Sequence, residues 1–206
     1  MSEPVIGAPG ALLVIISGPS GVGKDTIIQA LKQLPADPSR HFVVTYKTRA
    51  SRPGEVDGID YHFISEDDFR ALQADDRLLE AAEVHGHWSG TPRDQVELAL
   101  QAGQDAILKI DVQGAAEIKR KIPEALRIFV APPSLEALSG RLRDRATETP
   151  DEFARRQHDA AFELSQQDEY DYTVVNETGH AGLTAERIDE IIAEERRLHA
   201  NRQVRV

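Results

Sequence analysis

The chain has 206 residues, the length of one domain with a full hydrophobic core, and we expect a single domain over residues 11–206 after a flexible, proline- and glycine-containing tail at 1–10. The formal net charge of −11 argues against a general nucleic-acid binder, and no apolar run is long enough to span a bilayer, so neither a nucleic acid nor a membrane is an expected partner. The absence of cysteine excludes disulfides, thiolate metal sites and thiol catalysis, and the cytoplasm is the expected location.

Short apolar runs alternate with helical patterns along the chain, which is typical of an α/β fold with a mainly parallel sheet. The first predicted strand, ALLVIIS at 11–17, runs into a glycine-rich turn and then into a helix. Further strands are predicted at 41–46, 61–65, 106–111, 126–132 and 172–176. Capping-box spacing predicts helix starts at Ser65 and Thr149, the second helix running to about residue 167, and a charged amphipathic helix closes the chain.

The turn after the first strand carries the strongest motif in the chain. It reads GPSGVGKDT and comprises Gly18, Pro19, Ser20, Gly21, Val22, Gly23, Lys24, Asp25 and Thr26. The glycines let successive backbone amides point inward and hold phosphate oxygens at a helix N-terminus, and the lysine reaches the β and γ phosphates. Because the motif follows an apolar strand and opens a helix, it predicts a nucleotide-binding phosphate loop.

Asp25 is the unusual residue of this loop. It stands where such loops have a serine or threonine whose hydroxyl binds Mg²⁺. A carboxylate is also a hard oxygen ligand, so Asp25 is a candidate magnesium ligand, directly or through a water. The alternative, that Asp25 only caps the helix start beside its dipole, is equally compatible with the sequence. Thr26 keeps a hydroxyl within one residue.

A second anion-binding segment is predicted at 40–56, where Glu55 is the only carboxylate. Arg49 and Arg52 present two guanidinium groups that can clamp a phosphate bidentately, and Tyr61 can add a hydroxyl donor. Two arginines in a solvated surface loop are the alternative. An acidic protein with a local positive pocket suits a small anionic substrate.

The segment TRASRPGEVDGIDYHFIS at 48–65 resembles the nucleoside-monophosphate-binding segment of the guanylate kinase family, and the segments 78–92, 107–115, 128–149 and 169–176 resemble that family in the same order. The resemblance implies a P-loop NTPase-type parallel sheet core flanked by helices. It further implies a small GMP-binding insertion at about 41–92 and a helical lid at about 141–167. ATP as phosphate donor, GMP as acceptor and Mg²⁺ follow from the same resemblance.

The resemblance also assigns roles to substrate-binding residues. Glu83 matches the family's guanine reader, a carboxylate that accepts from both N1–H and the 2-amino group. Thr45 and Thr91 match hydroxyl positions that assist this recognition. Asp111 ends an apolar strand and resembles the acidic residue that faces the metal and the phosphates, so it is a predicted substrate and metal ligand.

Three arginines, Arg141, Arg145 and Arg156, lie in the segment that forms the family's lid, where they would bring positive charge to the transferring phosphoryl group. An exposed face of an amphipathic helix is the alternative for the first two. Asn176 matches a position near the adenine of ATP.

Several residues depart from the family pattern. Ser89 stands where a tyrosine usually touches the acceptor phosphate, Lys109 replaces a residue that is often acidic, and Lys47 replaces a small hydroxyl residue. These departures affect the acceptor side of the predicted site more than its phosphate chemistry.

The sequence thus predicts an ATP-dependent guanylate kinase that converts GMP, and also dGMP, by direct in-line transfer. One alternative is a ribose 1,5-bisphosphate phosphokinase on the same scaffold, which Asp25 and Ser89 favour. Another is a non-catalytic guanylate-kinase-like interaction module, although such modules typically lose the phosphate loop. The sequence does not choose between a monomer and a homodimer.

Overall fold

The computed structural model describes residues 6–36, 39–84, 86–143 and 159–206. In chain order the strands are β1 (Leu13–Ser17), β2 (Arg40–Phe42), β3 (Tyr46–Lys47), β4 (His62–Phe63), β5 (Leu78–Val84), β6 (His87–Pro92), β7 (Asp105–Lys109), β8 (Leu126–Ala131) and β9 (Tyr172–Val175). The helices are α1 (Lys24–Gln33), α2 (Glu66–Ala74), α3 (Arg93–Gln101), α4 (Val112–Lys121), α5 (Leu135–Arg143) and α6 (Ala181–Leu198). Residues 159–165 are also helical and lead into a 3₁₀ turn at Gln167–Glu169.

The central sheet has the strand order β2-β7-β1-β8-β9, and all its strand pairs are parallel. Strand β1 is buried along its whole length, because helices cover both faces of the sheet. Leu12, Val14 and Ile16 pack into a core with α1 and α6, whereas Leu13 and Ile15 pack into a second core with α3 and α4. The α/β prediction is confirmed, and it places the carboxyl ends of the strands at one edge of the sheet.

A smaller sheet with the order β4-β3-β6-β5 lies between β2 and β7 in the chain. Its strands β5 and β6 form an antiparallel hairpin, which the sequence patterns did not predict as strands. The strand predicted at 41–46 is divided, since β2 joins the central sheet and β3 joins the small one. This division carries the chain from the central sheet into the predicted acceptor region.

The start of the described chain is held in place. Gly7 N donates to Val204 O, Ala8 N to Leu100 O and Gly10 N to Arg202 O. Within the segment predicted as a flexible tail, residues 6–10 thus have backbone groups that pair with the C-terminal segment and the end of α3.

The structure also bears on the predicted helix start at Ser65, the predicted lid and the search for a membrane span. Ser65 caps α2 as predicted, its hydroxyl accepting from the backbone N–H of Asp68 at 3.1 Å. Most of the predicted lid, including Arg145 and Arg156, lies outside the described residues. Within the described residues, no helix combines the length and the apolar character needed to cross a bilayer.

Candidate active site

The phosphate loop connects β1 to α1 and depends on glycine at three positions. Gly18, Gly21 and Gly23 have φ values of 141°, 82° and 98°, a region that side-chain-bearing residues rarely adopt. At Gly18 a Cβ would lie 2.3 Å from Val130 O, so the loop also passes too close to β8 for any side chain. The glycines predicted from the motif thus have the backbone conformations that a phosphate loop requires.

Asn176 and Arg141 brace the back of this loop. Asn176 Nδ2 donates to Val22 O at 2.8 Å, and the Oδ1 of this buried side chain accepts from Thr184. Arg141 donates to Val22 O at 3.1 Å and to Asn176 O at 3.0 Å. Both ends of the Asn176 amide thus have partners within the protein, and its contact with adenine stays a prediction. Arg141 likewise contacts the loop rather than lying on an exposed helix face.

Lys24 and Glu163 lie at the mouth of the loop. Lys24 Nζ donates to Gly18 O at 2.5 Å and to Pro19 O at 3.0 Å, so the ammonium is folded back over the loop. Burial lowers the pKa of Lys24, and the carboxylate of Glu163 opposes that effect. The same carboxylate accepts from Ser20 N at 3.0 Å. The sequence patterns did not predict a role for Glu163. Its carboxylate binds to a loop amide because the backbone amides that bind phosphate also attract other anions.

Asp25 pairs with a cation from the neighbouring strand. Lys109 ends β7, next to β1, and its Nζ lies 2.5 Å from Asp25 Oδ1. Tyr61 approaches the same oxygen, with its hydroxyl at 3.4 Å. The N-cap of α1 is Gly23, which has no side chain, so Asp25 is a first-turn residue rather than the cap. Thr26 follows it on an exposed part of the helix.

Asp111 is the N-cap of α4. Its Oδ1 accepts from Gln113 N at 2.9 Å and Gly114 N at 3.1 Å. Asp25 and Asp111 both act electrostatically on Lys24, which places the two carboxylates beside the phosphate loop. Among the described residues, no group of three or more histidine, cysteine or carboxylate side chains could enclose a metal. Two carboxylates fit Mg²⁺ when substrate phosphates and waters complete its shell.

The predicted phosphate clamp is held by Glu55. Both terminal N–H groups of the Arg49 guanidinium donate hydrogen bonds to the Glu55 carboxylate, each at 2.7 Å. Glu55 also accepts from the backbone N–H of Arg52 at 2.8 Å. This bidentate pair raises the pKa of Arg49 above its ordinary value. Glu55 therefore holds the Arg49 side chain and the Arg52 backbone in one turn, a positioning role that the sequence patterns did not reveal.

Glu80, three residues before the predicted guanine reader, is the carboxylate that faces the site. Glu80 is 1% exposed, its Oε1 accepts from Thr91 Oγ1 at 2.8 Å, and its Oε2 is buried with no hydrogen-bond partner within the described residues. Glu83 is exposed and pairs with Trp88 in the hairpin. The predicted reader Glu83 points away from Glu80, because residues an odd number apart on a strand point to opposite faces of the sheet, so the structure favours Glu80 for this role.

Other groups around Glu80 complete this end of the pocket. The hairpin register sets Glu80 opposite Thr91 and, continued through β3, sets the buried Thr45 beside Thr91. Gly114 leaves room for the carboxylate, since a Cβ there would lie 2.8 Å from Glu80 Oε2. Burial, followed by the charge of Asp111, raises the pKa of Glu80 to about 8.

The phosphate loop and the arginine segment therefore lie close together at the carboxyl edge of a parallel sheet, since Tyr61 contacts both Asp25 and Arg49. The buried Glu80 carboxylate lies on the small sheet that leads to the arginine segment. A phosphate loop opposite a second phosphate clamp defines a phosphotransferase of the P-loop kinase class.

The comparisons with known proteins identify the family. The guanylate kinase family model matches residues 11–195. The chain is 47% identical over 80% of its length to a guanylate kinase of Mycobacterium sp. (strain MCS), of which 83% is covered. It is 46% identical over 81% of its length to a guanylate kinase of Desulfitobacterium hafniense (strain Y51), of which 82% is covered.

A solved structure supports the same assignment. The crystal structure of guanylate kinase from Anaplasma phagocytophilum aligns with a TM-score of 0.76 at 30% identity, covering 96% of this chain and 92% of that chain. The chain belongs to the guanylate kinase family, which confirms the resemblance seen in the sequence.

Proposed function

We propose that this protein transfers the γ-phosphoryl group of ATP to GMP, giving ADP and GDP. The observation that carries the proposal is the buried Glu80 carboxylate, whose Oε2 has no hydrogen-bond partner among the described residues. It lies on the same small sheet that leads to the Arg49 clamp. An acceptor that offers paired N–H donors at one end and a phosphate at the other satisfies both groups.

Guanine is the purine that fits Glu80. Its N1–H and 2-amino group both donate, whereas adenine presents an acceptor at N1 and no 2-amino group. A site built around a buried acceptor discriminates strongly against a ligand that cannot donate to it, because the acceptor then stays unpaired. The same base edge and phosphate occur in dGMP, which we propose as a second acceptor.

The phosphate loop holds the donor. Its backbone amides bind the phosphates of ATP, and Lys24 moves from its carbonyl partners to the β and γ phosphates. Asp25 and Asp111 are the residues that would hold Mg²⁺, which when bound neutralises phosphate charge. Arg49 and Arg52 hold the acceptor phosphate in line with the donor, so the chain contributes positioning and charge stabilisation without a covalent intermediate.

The lid arginines enter this proposal in different ways. Arg141 positions the phosphate loop through its bonds to Val22 O and Asn176 O. Arg145 and Arg156 lie outside the described residues and remain predicted contributors to closure. We further propose a cytoplasmic enzyme of purine nucleotide metabolism whose partners are small-molecule substrates, as a monomer or a homodimer.

The two alternatives have less support. A ribose 1,5-bisphosphate acceptor lacks the paired N–H donors of the guanine edge, so it matches the buried Glu80 carboxylate less well. A non-catalytic module has no need of Lys24, Arg49 and Arg52 arranged around one cleft.

The test is ADP release from MgATP with GMP, dGMP, AMP, CMP, UMP and ribose 1,5-bisphosphate as parallel acceptors, using the wild-type protein and Lys24→Met as the negative control. We expect selective turnover of GMP and dGMP, lost in the variant by roughly 100-fold or more. Turnover of the sugar bisphosphate alone, or tight MgATP binding by a folded protein without any turnover, would overturn the proposal.

A further inference from the structure

Lys47 has an unusual position for a lysine. It lies on β3 in the middle of the small sheet, opposite Ser89 in the register of the sheet. Its Nζ donates to Ser89 Oγ at 2.7 Å, and Ser89 itself is 2% exposed. Burial lowers the pKa of Lys47 to about 8. The protein thus places a largely desolvated ammonium on a small hydroxyl, although burying such a group costs free energy unless it is paired.

Three cations converge on one aromatic ring at this point. Lys47 Nζ lies 5.3 Å from the centroid of the Tyr61 ring, Arg49 Cζ lies 5.4 Å from it, and Lys109 Nζ lies 4.2 Å from it. Like charges held this close repel one another, and both Arg49 and Lys109 contribute to lowering the pKa of Lys47. The cluster is therefore set up to gain free energy when an anion enters it.

Lys47 differs from the other two cations in its partners. Arg49 is paired with Glu55, and Lys109 is paired with Asp25. Among the described residues, Lys47 has no salt bridge, and its side-chain hydrogen bond goes to the neutral Ser89. Glu80 and Asp111 act on it only through longer-range attraction. An ammonium has three donors, so two remain for a ligand, and the hydroxyl proton of Ser89 is a third.

The order of residues on the sheet shows which end of the acceptor lies near this ammonium. Glu80 and Thr91 form one row across β5 and β6, and Lys47 and Ser89 form the next row, two residues along. Arg49 follows two residues after Lys47. Successive residues on one face of a strand are about 6.8 Å apart, so Lys47 lies between the base-reading row and the arginine clamp.

We propose that Lys47 is a further ligand of the acceptor phosphate, with Ser89 orienting its ammonium. This inference rests on the proposed function. The anion enters beside Tyr61 and accepts hydrogen bonds from Lys47 and from Arg49. The Ser89 hydroxyl donates an additional hydrogen bond to it. The positive charge of Arg49 is partly neutralised by its bidentate pair with Glu55, and Lys47 supplies additional positive charge to the phosphate.

The experiment compares GMP with guanosine, which lacks the phosphate, in calorimetric titrations of the full chain without ATP or metal. The variants are Lys47→Met, Lys47→Arg and Ser89→Ala. Lys119→Met is the matched control, because Lys119 lies at the opposite end of α4 from Asp111 and donates to Ala125 O.

Lys47→Met should weaken GMP binding about 10- to 100-fold and change guanosine binding less than about 2-fold. Lys47→Arg should retain most of the GMP affinity, Ser89→Ala should lose a few-fold, and Lys119→Met should match the wild type. Unchanged GMP binding by Lys47→Met overturns the inference. Equal losses for GMP and guanosine overturn it too, since they assign Lys47 to the base or to the fold. Wild-type protein that binds neither ligand overturns the proposed function together with this inference.

A second measurement uses the unaltered protein and decides the question if Lys47→Met does not fold. Reductive methylation consumes deprotonated amines, so Lys47 should react early near pH 8, as mass spectrometry of peptides can follow. GMP should protect Lys47 and guanosine should not. Equal protection by the two ligands, or none by GMP, contradicts a phosphate-binding role.

Discussion

Replacement of Glu80 by glutamine should stabilise the protein while removing its preference for guanine. The two carboxylate oxygens of Glu80 have different partners, because Oε1 accepts from Thr91 while Oε2 is buried with no hydrogen-bond partner in the described part of the chain. Glutamine has the same shape and keeps an oxygen for Thr91. Its amide nitrogen, however, takes the place of Oε2 and presents donors to the donors of guanine.

The effect on stability follows from the pKa of Glu80, which is raised from 4.5 to about 8. At pH 7 the folded protein therefore keeps the carboxyl protonated, whereas the unfolded chain ionises it. Since one pKa unit corresponds to about 1.36 kcal/mol, this difference lowers the free energy of unfolding by roughly 3 kcal/mol relative to a neutral side chain. For a chain of this size, Glu80→Gln should raise Tm by roughly 6–12 °C at pH 7.

The pH dependence has a defined sign. Because the pKa of Glu80 is higher in the folded protein, this residue contributes its full stability below pH 4.5, where the carboxyl is protonated in both states. That contribution is lost as the pH rises from 4.5 to about 8. The charged groups that act on Glu80 are Asp111, Lys47 and Glu117. The difference in Tm between Glu80→Gln and the wild type should therefore be small at pH 5 and should grow towards pH 8.

The effect on activity comes from the guanine edge. The two donors of guanine favour the ionised carboxylate over the protonated form of the empty site, so Glu80→Gln removes a charge-assisted acceptor worth about 1.5–3 kcal/mol. The unfavourable donor contact adds to this loss, and kcat/KM for GMP should fall by about 100-fold or more. The activity towards AMP should change little. The matched control is Glu83→Gln, because Glu83 is an exposed glutamate on the other face of the same strand.

The assays are coupled ADP release with GMP and AMP, and thermal unfolding at pH 5, 7 and 8. Wild-type GMP activity in Glu80→Gln together with a loss in Glu83→Gln would refute the assignment of the base reader. A Glu80→Gln protein that is no more stable than the wild type at any of these pH values would refute the argument from burial.

Three further substitutions test neighbouring parts of the site. Gly114→Ala places a methyl group against Glu80 Oε2, so kcat/KM for GMP should fall about 10-fold or more in steady-state assays, and an unchanged value would contradict this packing. Lys109→Met removes the ammonium that pairs with Asp25 beside the triphosphate and should weaken ATP binding about 10-fold in calorimetric titrations, with Asp25→Ser in the same chain restoring most of it; additive losses would exclude coupling. Glu55→Gln should raise KM for GMP about 10-fold with guanosine binding unchanged, and a loss of guanosine binding would instead indicate a wider disruption.

The phosphate loop could be predicted from the sequence because its chemistry is local. Three glycines with positive φ, a lysine and a following helix lie within a few residues of one another, so their spacing fixes their geometry. The Arg49 and Arg52 pair could be predicted for the same reason. Glu55, which organises that pair, is only three residues beyond Arg52, but its contacts depend on the turn that the backbone makes there.

The choice between Glu80 and Glu83 shows where sequence patterns are insufficient. Both glutamates lie in one apolar segment, and the family pattern was aligned to Glu83. The alternation of side chains across a strand decides the matter once the hairpin register is known, because it sets Glu80 opposite Thr91 and turns Glu83 to the exposed face.

The sequence by itself determined the fold class and the family and located the glycine turn of the phosphate loop, since each depends on residues close together in the chain or on ordered segments. The arginine clamp stays a prediction from the same kind of local pattern. Only the tertiary structure decided how distant groups pair. Asp25 meets Lys109 across 84 residues, Asn176 reaches Val22 O across 154, and Lys47 reaches Ser89 across 42. These pairings arise from the order and register of strands in two sheets, which no local pattern specifies.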